Sequence, residues 1–169
     1  LSVFIVDMRD VLGQSLTIRP VSTMMNHSTT QLFFDDMPVP CENLIGKEGK
    51  GFRYILTGMN AERMLIAAEC IGDAKWFIQQ ARDYGCEREV FGRPIARNQG
   101  IQFPIARAYS AMRSAELMLN EAFQMYEAGE NPGEEANLAK LQSADASWQA
   151  AEACIQTFGG FGFATEYNI

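Results

Sequence analysis

The sequence predicts a mainly α protein: an antiparallel up-down helical bundle preceded by a short antiparallel β remnant. Three observations carry that expectation. No proline interrupts the chain between Pro40 and Pro94, and so long a run with few turn residues reads as one long helix. From Gly51 onward apolar residues recur with helical spacing in three successive segments. Before Gly46 they fall instead in short β-branched and aromatic runs.

The β part is expected over residues 1–45 and the helical part over residues 46–169. Leu1–Met8 reads as a first strand. Ser15–Thr23 alternates Leu16, Ile18 and Val21, and Pro20 makes it an edge or interrupted strand. Thr29–Asp36 is the third strand. Pro38, Pro40 and the glycines that follow then mark a linker. Three such strands do not complete a sheet, so they read as the tail of a sheet whose other strands precede Leu1. With Leu1 rather than Met at its start, the chain reads as a fragment.

The first helix is expected from Gly51 to about Tyr84-Gly85-Cys86. Leu56, Arg63, Ala67, Ile71, Ala74 and Ile78 form one stripe. Ile55, Met59, Glu62, Ile66, Glu69 and Asp73 form its neighbour. The second helix is expected from about Asn98 to Ala128, with Asn98 as N-cap and a bend or delayed start at Pro104. Its core stripe is Ile105, Ala108, Met112, Ala115, Leu119, Ala122 and Tyr126. For the third helix Asn131 can cap, Pro132 fits the first helical position, and Glu134 suits a capping box. Its expected stripe is Leu141, Ala144, Trp148, Ala151, Ile155 and Phe158, ended by Gly159-Gly160.

Bulk properties exclude several classes. The net charge of −7 argues against a nucleic-acid partner, which needs a basic face. No apolar run has the length of a membrane span. Cys41, Cys70, Cys86 and Cys154 lack metal-site spacing and read as reduced thiols. His27 is the one histidine; it falls in a turn and receives no chemistry.

Three segments carry a family resemblance. STTQLFFDDMPVP followed by NLIGKEGKGF looks like the junction between the β domain and the C-terminal helical domain of the acyl-CoA dehydrogenases. EREVFGRP followed by Asn98-Gln99 resembles that family's flavin-binding turn. Gln156–Tyr167, QTFGGFGFATEY, resembles its second flavin-contacting loop. The three occur in the family's order and at about its spacing, over nearly the whole chain.

The resemblance implies FAD as cofactor and α,β-dehydrogenation of an acyl-CoA thioester as reaction. It further implies an electron-transfer flavoprotein as acceptor, a homo-oligomer, and a bacterial cytoplasmic or mitochondrial-matrix location. Related flavoprotein oxidases or monooxygenases, or a non-catalytic helical assembly module, are the alternatives.

The chemistry needs a carboxylate base in a dry site. In some members that glutamate immediately precedes an arginine on the first bundle helix, as Glu62 precedes Arg63 here; in many others it lies beyond the FGG loop. On residues alone, Glu62 reads as a solvated helix glutamate paired with a nearby basic side chain, and it is the resemblance that points to the base. Asn60 and Arg63 resemble the substrate-binding positions. Arg88, Phe91, Gln99, Gln156, Gly159 and Gly160 resemble the cofactor-binding ones. Their structural alternatives are a charged turn with Phe91 tucked into the bundle and a plain helix C-cap. Val90 and Asn98 depart from the family pattern, which commonly has a hydroxyl residue and a histidine there.

Overall fold

The computed structural model describes residues 1–24 and 28–169, so His27 lies outside the described residues. The chain divides into two compact units, Leu1–Leu56 and Thr57–Ile169.

In the first unit Leu1–Met8 is not a strand. It makes a single antiparallel bridge, Phe4 to Leu44, with Ile5 N–H donating to Asn43 (3.0 Å) and Ile45 N–H to Val3 (2.8 Å). The partner segment is too short to extend that ladder. A 3-10 turn, Cys41–Asn43, ends just before it, and Gly46 turns left-handed just after it at φ +69°. A Cβ at Gly46 would fall 2.5 Å from the Tyr54 ring, so only glycine fits. Leu1–Met8 leads into a short helix, α1 (Met8–Val11), whose first turn is capped by the Asp7 carboxylate accepting from Arg9 N–H.

Two strands follow, β1 (Leu16–Val21) and β2 (Thr29–Phe34), paired antiparallel from Leu16↔Phe34 to Val21↔Thr29. Pro20 is tolerated because the pair is all edge. The Arg19 guanidinium lies 4.9 Å from the Phe33 ring centroid, one diagonal step across the ladder.

The second unit holds nearly all of α2 (Gly51–Glu87), then α3 (Gln99–Glu127) and α4 (Gly133–Phe158). Between α2 and α3 lies a hairpin of β3 (Glu89–Val90) and β4 (Arg93–Pro94). Its loop residues, Phe91 (φ +55°) and Gly92 (φ +76°), are both left-handed, the geometry of a tight primed turn. Phe91 is therefore fully exposed at the tip, not tucked into the bundle.

Met64, Ala67, Ile71 and Ala74 of α2 share one core with Ala108, Met112, Ala115, Leu119 and Ala122 of α3 and with the alanines of α4. The α3 stripe is buried as expected between Ala108 and Ala122, whereas Tyr126 is exposed. On α4 the expected stripe holds only at its end, where Phe158 is buried. Leu141 and Trp148 are 54% and 69% exposed. The packed face is Ala136, Ala139, Ser143, Ala146, Ala150 and Ala153. Small side chains let helices approach closely, and that proximity, not residue size, sets the interface. On α2, Leu56 is likewise exposed and Met64 takes its place in the core.

The expected caps also shift. Asn98 stands at the N-cap of α3 but its side chain caps nothing; it donates to the Ile95 carbonyl (3.1 Å) and accepts from Arg93 (3.1 Å). Pro132, not Asn131, precedes α4, which has no side-chain cap. Pro104 sits inside α3 without delaying its start. The carbonyl its ring would crowd belongs to Gly100, which is exposed and can turn to water. Glu116 of α3 accepts from Lys75 of α2 (2.5 Å) and pairs with Arg113. The Lys75 hydrogen bond is the main cause holding its carboxyl below the usual range.

Candidate active site

Residues 59, 62, 63 and 66 lie three and four apart on α2 and so share one face. Met59, Glu62, Arg63 and Ile66 line a groove of about 180 Å3, closed on its far side by Lys140 of α4. Glu62 is exposed, and among the described residues it makes no ion pair, so the expected pairing with a neighbouring base is not what occupies it. Arg63 Nη1 donates to Asn60 Oδ1 (3.0 Å). Asn60 Nδ2 in turn donates to Asn131 Oδ1 (3.3 Å), in the connection between α3 and α4. Neither Lys140 nor Asn131 is among the sequence-based site residues. Asn131 carries a capping signal that hides its other use, and nothing local marks Lys140.

A second cavity, of about 400 Å3, lies beyond the C-terminal end of α2 and is lined by Tyr84, Arg88, Thr157, Phe158, Gly160 and Phe161. Its wall is aromatic. Tyr84 stacks on Phe158 (centroids 4.0 Å apart, 15° between planes), and Tyr167 meets both edge-on. The Arg88 guanidinium lies 5.9 Å from the Phe161 centroid, a cation–π contact. Gly159 ends α4 at φ +61° and opens a 3-10 turn, Gly159–Phe163. A Cβ at Gly160 would meet nothing within 4 Å, so its backbone faces open space. Gly162, by contrast, is closed off by the Ile155 carbonyl, 2.9 Å from where its Cβ would be.

The sequence-predicted cofactor residues thus divide. Arg88 and Gly160 meet in this cavity, with Gly159 adjacent. Gln156 lines a different depression, with Pro104, Arg107 and Glu152. Phe91 stands on the hairpin tip, and Gln99 is exposed as the first residue of α3. Tyr84 and Phe161, which sequence reading did not single out, form the cavity's walls. Among the described residues no helix is long and apolar enough to cross a membrane.

Residues 49–169 match the family described as acyl-CoA dehydrogenase, C-terminal domain. An acyl-CoA dehydrogenase of Bacillus subtilis (strain 168) is 39% identical over 142 residues, covering 84% of this chain and 38% of that protein. Butyryl-CoA dehydrogenase from Megasphaera elsdenii has a similar structure, with TM-score 0.88 and 29% identity over 98% of this chain and 43% of that one. A chain in the structure of the electron transferring flavoprotein of Acidaminococcus fermentans gives TM-score 0.87 and 31% identity over 98% of this chain and 44% of that one. The chain belongs to the acyl-CoA dehydrogenase family. It spans about two-fifths of the length of the relatives it matches.

Proposed function

We propose that this chain is part of a flavin-dependent acyl-CoA dehydrogenase, with residues 1–45 closing a β domain and residues 46–169 forming the helical domain. The observation that carries the proposal is the groove on α2, where Glu62, without an ion pair among the described residues, stands beside an Arg63 already held by Asn60. Glu62 takes the proton from the carbon α to the thioester. Arg63 binds the anionic end of the substrate, with Lys140 adding a second positive charge to the same groove. Glu62 is exposed in this chain, so the water exclusion a base needs comes from the acyl chain and from further protein surface.

The residues present fit FAD in their donor chemistry. Arg88 is a fork donor suited to a pyrophosphate and makes no ion pair among the described residues. Gly159 and Gly160 leave backbone open to close approach. Phe91, Gln99 and Gln156 are exposed and available for stacking and hydrogen bonding. When bound, FAD would accept the hydride from the substrate's β carbon. An electron-transfer flavoprotein would then accept the electrons, a partner suggested by the Acidaminococcus structure.

Length along α2 supports a homo-oligomer. At 1.5 Å per residue, the 25 residues from Glu62 to Glu87 span about 37 Å. The ribityl chain between a flavin ring and its pyrophosphate is far shorter. Glu62 at the ring and Arg88 at the pyrophosphate of one cofactor therefore come from two copies of the chain. The exposed Leu141 and Trp148 of α4 offer apolar surface for such assembly.

The test is Glu62→Gln in the full-length enzyme, which keeps size and removes the base. Anaerobic bleaching of bound FAD by acyl-CoA should slow by at least about 10²- to 10⁴-fold, with FAD content unchanged. Glu69→Gln, also exposed on α2, is the control. Near-normal bleaching in Glu62→Gln would move the base elsewhere.

A further inference from the structure

Arg63 is held by a relay that begins outside its own helix. Arginine only donates, so the oxygen of the Asn60 amide must face it. That leaves the Asn60 NH2 to donate to Asn131, whose own oxygen must then face Asn60. The orientation of both amides follows from the one group with no acceptor. Asn60 therefore spends one end of its amide on Arg63 and the other on Asn131, across 71 residues of sequence.

The backbone that presents Asn131 is held on both sides. Before it, Gly129 turns left-handed at φ +75° and Glu130 N–H donates to the Met125 carbonyl (2.9 Å). After it, Pro132 is buried and its carbonyl accepts from Ala136 N–H (2.8 Å). A proline also restricts the residue before it to extended conformations. Gly133 completes the arrangement. A Cβ there would fall 3.3 Å from Asn131 Oδ1 and 3.7 Å from Asn60 Nδ2, closer to the oxygen than side chains ordinarily pack.

We propose that Asn131, acting through Asn60, is a positioning residue that fixes the Arg63 guanidinium for the phosphate-bearing end of a CoA thioester. This rests on the reading of Arg63 as the substrate-binding arginine. Asn60 then acts on the substrate through Arg63, and the connection between α3 and α4 becomes part of the substrate site although it touches no substrate. Fixing the guanidinium beforehand removes side-chain freedom that binding would otherwise have to freeze.

The experiment measures the Kd of the full-length enzyme for coenzyme A by calorimetry, together with kcat for an acyl-CoA. The variants are Asn131→Ala, Asn131→Asp, Arg63→Gln and the double variant Arg63→Gln/Asn131→Ala. Losing one exposed neutral hydrogen bond should weaken coenzyme A binding by about 3- to 10-fold in Asn131→Ala, with kcat unchanged. Asn131→Asp keeps the acceptor and should restore binding to within about twofold of the parent. Arg63→Gln should weaken binding more than Asn131→Ala. Adding Asn131→Ala to it should change nothing further, because the relay no longer has an end. If Arg63→Gln weakens binding and Asn131→Ala does not, or if their losses add, the relay is overturned while the reading of Arg63 stands. If Arg63→Gln itself leaves coenzyme A binding intact, that reading fails and the relay with it.

Discussion

Around Met64, Ala67 and Ile71, α2 belongs to a core built largely of alanine, and the groove above it is lined by Glu62, Arg63 and Lys140, with two asparagines bonded in series to Arg63. Some 20 residues further along, the same helix ends in a cluster of Ala81, Cys154 and Phe158, with Tyr84 and Tyr167 packed against it. The first region is close-packed inside and wet outside, so its functional groups are positioned by hydrogen bonds. The second is an aromatic cluster buried at Ala81, Cys154 and Phe158, and the exposed Arg88 at its edge lies beside a ring face and the hairpin. One rod thus carries two surfaces with different physics, and perturbing one should leave the other intact.

Phe158→Ala is the harshest test of that independence. Phe158 is 7% exposed and stacked on Tyr84. Truncating a buried phenylalanine costs about 3–5 kcal/mol, read by chemical denaturation. Coenzyme A binding at the Arg63 groove should persist under native conditions. Loss of both at once would show that the ends of α2 are not separate.

Arg88→Ala should have a smaller effect. A hydrogen bond to a charged group contributes about 1.5–3 kcal/mol, so FAD affinity of the full-length enzyme should fall roughly 10- to 100-fold while folding stability hardly changes. Arg88→Lys should recover only part, since an ammonium is not a fork. Unaltered flavin affinity in Arg88→Ala would remove Arg88 from the cofactor site.

The two regions also differ in how legible they were in the sequence. The long helix could be read because no proline or cap interrupts Gly51–Glu87, and the α3 stripe because its large and small apolar residues share one face. The α4 stripe is hard to read because side-chain size does not mark burial on this helix. The bundle instead buries Ala136, Ala139, Ser143, Ala146 and Ala150 and leaves Trp148 outside. Leu1–Met8 has strand composition, but a strand needs a partner long enough to pair with, which composition does not report. At the groove, Glu62 and Arg63 stand out through their resemblance to a family pattern. Lys140 reaches it, and Asn131 reaches Asn60, through tertiary packing alone. At the cavity, Arg88 and Gly160 are legible, whereas the Tyr84–Phe158 stack depends on where α4 ends relative to α2.

The smallest expected effect concerns two thiols, one near each region. Both Cys70 and Cys154 are raised above the ordinary thiol range chiefly by burial. Around Cys70, Asp73 raises it further and Lys140 pulls it down. Cys154 is fully buried and is pushed up to about 11, with a backbone hydrogen bond from Ala81 opposing the rise. Because the folded value lies above the ordinary value of 9.0, the folded state holds this proton more tightly than the unfolded chain does. The resulting stability is fully present below about pH 9 and is lost as pH rises through about 11. Wild type should therefore lose more stability between those pH values than Cys154→Ala does, although the variant starts lower because it leaves a small cavity. Comparing the two pH slopes removes the tyrosines and lysines that titrate in the same range. Under native conditions the exposed Cys41 and Cys86 should react with an alkylating reagent well before Cys154. Identical alkaline slopes, or early alkylation of Cys154, would mean that water reaches the cluster that buries Cys154 against α2.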